Sequence, residues 1–184
     1  MELSALQLHI SLRGVKPQIY RRVIVSSSLS LDELHRVIQS VMPWDDDHQF
    51  FFRYGKIFYD KDEDYDAYYS VRVGDLLTQE GKSSILYEYD MGDSWQHDIL
   101  LEKILPSMAE CRAKYIGGEM AAPPEDCGGA WGYEELIEVL KNPEHPDYEE
   151  KCEWCEWVDI DPQNFNPVAN NISIKKLNRL LAKI

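Results

Sequence analysis

The chain lacks several features that would place it in a class at once. No run of eighteen consecutive apolar residues occurs in its 184 residues, so a membrane-spanning helix is not expected. Met1-Glu2-Leu3-Ser4 opens without a basic segment followed by an apolar stretch, which predicts no secretory leader and makes the cytoplasm the expected compartment. G-x-S-x-G, H-E-x-x-H and G-x-G-x-x-G are missing, so catalysis by a serine elbow, a zincin helix or a dinucleotide fold is not supported. Cysteine is sparse. Of Cys111, Cys127, Cys152 and Cys155 only the last two have C-x-x-C spacing; the others are too scattered to complete a zinc ribbon, and reduced, buried or half-exposed thiols are expected. Positive charge is also scarce: 19 Lys and Arg against 33 Asp and Glu leave a net −14, which repels nucleic-acid backbones and anionic membranes unless the basic residues are segregated.

What is present is 44% apolar, 28% charged and 11% aromatic, the make-up of one globular domain or two small subdomains sharing a core. The charge is unevenly laid out. Residues 1–44 carry +2, residues 167–184 carry +4 with no acid, and residues 45–166 hold ten basic and thirty acidic residues, or −20. Such a middle is either a solvated face that keeps the chain soluble or a surface for a cationic partner or metal ion.

Leu6, Leu8, Ile10 and Leu12 alternate with polar residues as in a half-buried strand; Gly14 to Pro17 turns, and the β-branched run Ile19 to Val25 returns beside it. Ser30 and Glu33 form an S-x-x-E capping box for a helix whose Leu31, Leu34, Ile38 and Val41 share one face, ended by Pro43. His48 to Tyr54 and Ile57 to Tyr59 read as strands around Gly55-Lys56, Asp60 to Asp66 as an acidic loop, and Val73 to Leu77 as one helical turn. Ile85 to Asp90 and Trp95 to Lys103 then read as a hairpin through Met91 to Ser94. Two strands, a capped helix, two strands, a short turn and a further strand is the element order of a β-grasp, ubiquitin-like fold. After Pro106 strand signals give way to loops and helices, expected at about Tyr133 to Lys141, Tyr148 to Trp157 and Ser173 to Lys183. The fold class is therefore α+β: a β-grasp-like half over 1–105 with one packed helix, and a loop-rich, helical half over 106–184.

Three groups could carry chemistry. In the hairpin, Trp95 and His97 share a face with Asp90 and Asp93 at the nearby turn; a carboxylate beside an imidazole can be an acid/base pair or two metal ligands, or the Asp simply caps its own turn. In Pro123 to Gly129, Gly128-Gly129 leads into a helix, but Glu125 and Asp126 precede it and no Lys-Ser/Thr follows, so it is no P-loop; the acids cap the helix, hold the hairpin or ligate a cation. Trp44 and His48, flanking Asp45 to Asp47, form the third group, with Trp44 alternatively a core residue. Asp60, Asp62, Asp64 and Asp66 imitate an EF-hand start, yet Tyr65 and Val71 stand where Gly and a bidentate Glu are needed.

Leu31-Asp32-Glu33-Leu34-His35 with Val37-Ile38-Gln39, then Trp44 and His48, Tyr87-Glu88-Tyr89-Asp90, Gly92-Asp93, Trp95-x-His97, and Pro123-Pro124-Glu125-Asp126-Cys127-Gly128-Gly129 with Gly132-Tyr133 together resemble the plasmid pRiA4b open-reading-frame-three family, whose members also carry the label of insertion-element passenger TnpR proteins. The resemblance runs from about Leu6 to Leu181. It implies little about activity, and it makes the hairpin and the Pro-Pro-Glu-Asp loop the signatures. Relatives often have Cys where Tyr115 and Ala122 stand here, which counts against a metal or redox role for cysteines in this segment. The TnpR label suggests a resolvase, but eight scattered arginines around a −20 middle do not make a DNA-binding domain.

The leading expectation is a non-catalytic binding module, with no cofactor, whose surface is made by Asp90, Asp93, Trp95, His97, Glu125, Asp126, Gly128 and Gly129 with Trp44 and His48; its partner is a protein or a small cationic ligand. One rival is a metal-dependent hydrolase or nuclease-like enzyme built on a divalent ion held by His97, Asp93, Glu125 and Asp126 with Asp90. The other is a nucleic-acid accessory protein working through the basic ends, which the charge disfavours.

Overall fold

A computed structural model of the chain describes residues 4–60, 65–79, 84–108, 111–155, 161 and 163–182. The strands are β1 (Ser4–Leu12), β2 (Tyr20–Ser26), β3 (Phe50–Tyr54), β4 (Ile57–Tyr59), β5 (Ser84–Tyr89), β6 (Trp95–Pro106) and β7 (Ala113–Glu119). The helices are α1 (Leu31–Val41), α2 (Tyr65–Ser70), α3 (Val73–Leu77), α4 (Gly129–Leu140), α5 (Tyr148–Cys155) and α6 (Pro167–Leu181). The strands make one seven-stranded sheet in the order β4-β3-β5-β6-β1-β2-β7.

Every strand pairing is antiparallel. The expected α+β class holds, but among the described residues the side-by-side parallel pairing of first and fifth strands that marks a β-grasp sheet is not found. The tight turn after β5 sends β6 back between β5 and β1, so the two strands that a β-grasp would join are separated by a third.

α1 forms where its capping box predicts: the Ser30 hydroxyl accepts from Glu33 N, and the Glu33 carboxylate accepts from Ser30 N. Leu31, Leu34, Ile38 and Val41 are fully buried and share one core with Leu6, Leu8, Ile10, Val23, Phe52 and Tyr87 of the sheet. At ~1.5–3 kcal/mol for each fully buried aliphatic side chain, that face outweighs any propensity preference within the helix.

The segment after Pro106 departs from expectation. β7 continues the sheet by pairing with β2, from Tyr20↔Glu119 to Val25↔Ala113, although Gly117-Gly118 breaks its apolar pattern. α6 begins at Pro167 rather than near Ser173, capped by the Asn166 side chain on Val168 N and Ala169 N, and its Ile174, Leu177 and Leu181 enter the common core. The last two residues of the expected acidic loop, 65 and 66, open a helix that runs to Ser70; residues 61–64 of that loop, and 156 and 157 of the expected acidic helix, lie outside the described residues.

Candidate functional site

The β5–β6 turn is held by its own acid. Asp90 sits in the left-handed region (φ 60), its Oδ1 accepts from Gly92 N at 2.8 Å, and its carbonyl accepts from Ser94 N at 2.6 Å. An Asx turn of this kind is one of the uses an aspartate at a turn serves. Asp93 reaches across to the proline loop, where its Oδ2 accepts from Gly128 N at 3.1 Å. Gly129 (φ 68) packs so closely on the Asp93 backbone that a Cβ would lie 2.2 Å from its carbonyl oxygen. The two family motifs are thus latched to each other, and the Gly128 amide at the head of α4 is taken by Asp93.

A second latch runs through Glu125. Its Oε1 accepts from Tyr89 OH at 2.5 Å and its Oε2 from Asp45 N at 2.6 Å, while Tyr89 OH accepts from Asp47 N. Burial, then Glu125, raise the Tyr89 hydroxyl pKa above its ordinary value, so it stays a donor. Trp44 stacks on Tyr89 with centroids 5.2 Å apart, and its indole N–H donates to Pro123 O at 2.9 Å. Segment 44–47, β5 and the proline loop are therefore tied at one end of the sheet.

Trp95 and His97 lie inward. They face Tyr89 and Tyr87 in register, and His97 is 0% exposed, with Trp44 edge-on to its ring at 5.4 Å. Its Nδ1–H donates to Trp95 O at 3.0 Å, and burial pulls its pKa down to about 3. The imidazole that meets the acids is His48. Its Nδ1 is 3.8 Å from Asp90 Oδ2 and its Nε2 is 3.3 Å from Asp126 Oδ1. One ligand atom from each of His48, Asp90 and Asp126 lies within 4.8 Å of the other two. The expected metal set of His97 with Asp93, Glu125 and Asp126 is thus not what the fold gathers: His97 is core, and Asp93 and Glu125 are latches. Among the described residues the ion pairs of Asp90 and Asp126 run to His48 and to no lysine or arginine.

A further histidine, outside the expected set, belongs to this neighbourhood. His35, on the buried face of α1 at helical spacing from Leu31, contacts Asp46 Oδ1 through Nε2 at 2.6 Å and Tyr87 OH through Nδ1 at 2.8 Å. An ionised carboxylate only accepts, so Nε2 carries the proton and Tyr87 OH donates to Nδ1. Burial lowers the His35 pKa against the opposing pull of Asp46, which leaves the ring neutral. Both imidazoles line a pocket of about 330 Å³ with Asp32, Asp46 and Asp60. On the other side of segment 42–45, a cleft of about 690 Å³ opens between the proline loop and Trp154 of α5. The cysteines are free and half-buried; burial, then Asp93, push the Cys127 thiol up to about 12, away from thiolate chemistry.

Fold and site together define an α+β protein with one antiparallel sheet, whose hairpin turn and proline loop are latched into an acidic end. The chain belongs to the plasmid pRiA4b ORF-3-like family, which matches residues 4–169. It is similar to the uncharacterized protein y4hQ of Sinorhizobium fredii (strain NBRC 101917 / NGR234), 35% identical over 150 residues that cover 79% of this chain and 77% of that protein. It is also similar to a crystal structure of a protein of unknown function, MM3350 from Methanosarcina mazei Go1: TM-score 0.77, 33% identity, 91% of this chain and 98% of that one. No helix among the described residues is long and apolar enough to cross a membrane.

Proposed function

We propose that the protein is a non-catalytic binding module whose latched acidic end takes a positively charged partner. The observation that carries this reading is the gathering of Asp90 and Asp126 on His48 without a lysine or arginine to neutralise them among the described residues. Two further features support it. Asp90 is held in its own turn, and the latches hold the loop that carries Asp126 before any partner arrives, which lowers the ordering cost of binding. The basic residues of the N-terminal end are mostly occupied: Arg13 pairs with Asp98, Arg22 with Glu102, Arg36 with Asp32, and Arg21 is buried, which counts against a nucleic-acid surface at that end. Titration with hexalysine at two salt concentrations tests the proposal. Wild type should bind with salt-sensitive affinity, and Asp126→Asn should weaken it several-fold. Asp75→Asn on α3, whose Gly74 N donates to Ser27 O just past the far end of β2, removes the same charge elsewhere and should matter less; equal losses in both variants would reduce the effect to net charge and sink the proposal.

A second reading, a metal-dependent hydrolase or nuclease-like enzyme, is favoured by one observation. His48 Nε2 and Asp126 Oδ1 are 3.3 Å apart, near the spacing of two ligands ~2.1 Å from one ion at a tetrahedral angle, and Asp90 stands at the other ring nitrogen, where a carboxylate orients a ligating imidazole. Thermal shift with Mn²⁺, Zn²⁺ and Mg²⁺ should then raise the melting temperature of wild type and not of His48→Gln. The absence of any shift in wild type removes this reading.

A further inference from the structure

We infer that the cleft between the proline loop and α5 is a seat for an arginine side chain of a basic partner protein. This rests on the proposal that the acidic end takes a positively charged partner, and it names the chemistry recognised. The cleft of about 690 Å³ is lined by four acidic residues, Asp45, Glu125, Asp126 and Glu153, and by two tryptophans, Trp44 and Trp154; among the described residues none of its lining is Lys, Arg or His.

The aromatic walls separate this place from an ordinary solvated acidic face. Trp154 is 38% exposed on a helix with no buried residue and lines the cleft, so part of its ring is accessible to a flat cation. Pro43, Pro123 and Pro124 stiffen the other wall. Trp44 is pinned by its N–H to Pro123 O, and both Glu125 oxygens are engaged by Tyr89 and Asp45. Asp126, with its side chain 73% exposed, and the exposed Asp45 and Glu153 are the acids open to a newcomer. Arginine matches each feature: its alkyl stem covers apolar wall, its guanidinium plane stacks on indole, and its fork of donors meets carboxylates. An ammonium, compact and strongly hydrated, uses the charge but not the indoles as well.

The test uses intrinsic tryptophan fluorescence of the full chain, titrated with a blocked hexapeptide of alternating glycine and arginine, its lysine counterpart and its citrulline counterpart. Arginine should bind tightest, lysine about tenfold more weakly, and the neutral citrulline isostere not measurably. Trp154→Ala and Glu153→Gln, both at exposed positions, should each weaken arginine binding about tenfold, and Trp154→Ala should narrow the gap between arginine and lysine. Arginine binding unchanged in both variants but lost in Asp126→Asn overturns the cleft while leaving the cationic partner standing. No binding of either cationic peptide to wild type overturns both. Equal binding of arginine and lysine peptides overturns the arginine assignment. Dimerisation in sedimentation that is abolished by replacing Lys175, Lys176 and Arg179 would assign the cleft to a second copy of this chain and overturn the external partner.

Discussion

Two glycines separate backbone necessity from mere tolerance. At Gly129 a Cβ would sit 2.2 Å from the Asp93 carbonyl oxygen, at φ 68, so Gly129→Ala must both strain the chain and pry the proline loop from the hairpin turn. A loss of ~3 kcal/mol in urea unfolding is expected. Gly117 in β7 meets nothing within 4 Å, and Gly117→Ala should change stability by less than ~1 kcal/mol. Equal losses at the two positions would contradict the latch.

A second residue-scale prediction concerns acid. His97 is neutral in the fold, with its pKa pulled down to about 3 by burial, whereas in the unfolded chain it takes a proton near 6.5. The unfolded state therefore binds more protons below pH 6.5, and stability falls with falling pH by up to ~1.4 kcal/mol per unit until the folded group also protonates near pH 3. His35, lowered by burial as well, adds in the same direction. Urea midpoints at pH 7.5, 6.0 and 5.0 should decline in wild type and decline less steeply in His97→Gln; parallel declines would mean that other groups carry the acid sensitivity.

Elements are joined here by single side chains acting as backbone. Asn178 of α6 accepts from Arg112 N and Ala113 N and donates to Ala113 O at 2.6 Å, so one amide stitches the helix to β7. Asn170 repeats the device on Val41 O of α1. Asn178→Ala leaves those partners without a replacement, and a cost of ~2 kcal/mol is expected, with faster amide exchange in β7 than in β1. Uniform exchange across the sheet would refute the stitch. Periodicity and capping made α1, β1 and β2 legible in the sequence, because Leu6, Leu8 and Ile10, or Ser30 with Glu33, announce local structure by themselves. β7 was not legible: Gly117-Gly118 is acceptable there only because β2 pairs with it, which is information from another part of the chain. α6 had its signal in Asn166-Pro167, a cap followed by proline at the first turn, but polar Asn170 and Asn171 hid the inward face. Within the site, parity already put Trp95 and His97 on one face; the alternation of Ile85, Tyr87 and Tyr89 on the paired strand marks that face as inward, which leaves His48 as the imidazole for the acids.

At the scale of the molecule, the charge of −14 resolves into geography. The basic ends come together, since β1 pairs with β2, β2 with β7, and α6 packs on α1 and β7, while acids of the middle stretch gather at the latched hairpin and loop. That closure also bears on the division at residue 105. Arg21 of β2 is 1% exposed, and its guanidinium donates to Val41 O, Tyr20 O and Glu119 O and lies 4.4 Å from the Phe165 ring centroid. Two of these four partners, Glu119 and Phe165, lie beyond residue 105. Burial lowers the Arg21 pKa to about 10, so the side chain remains charged at neutral pH and depends on those carbonyls. A fragment of residues 1–105 would bare this cation, the pairing edge of β2 and the side of α1 that Ile174, Leu177 and Leu181 cover. It should bind the dye ANS and lack a cooperative urea transition, whereas the whole chain should unfold in one step; a sharp transition in the fragment would make the first 105 residues a domain in their own right.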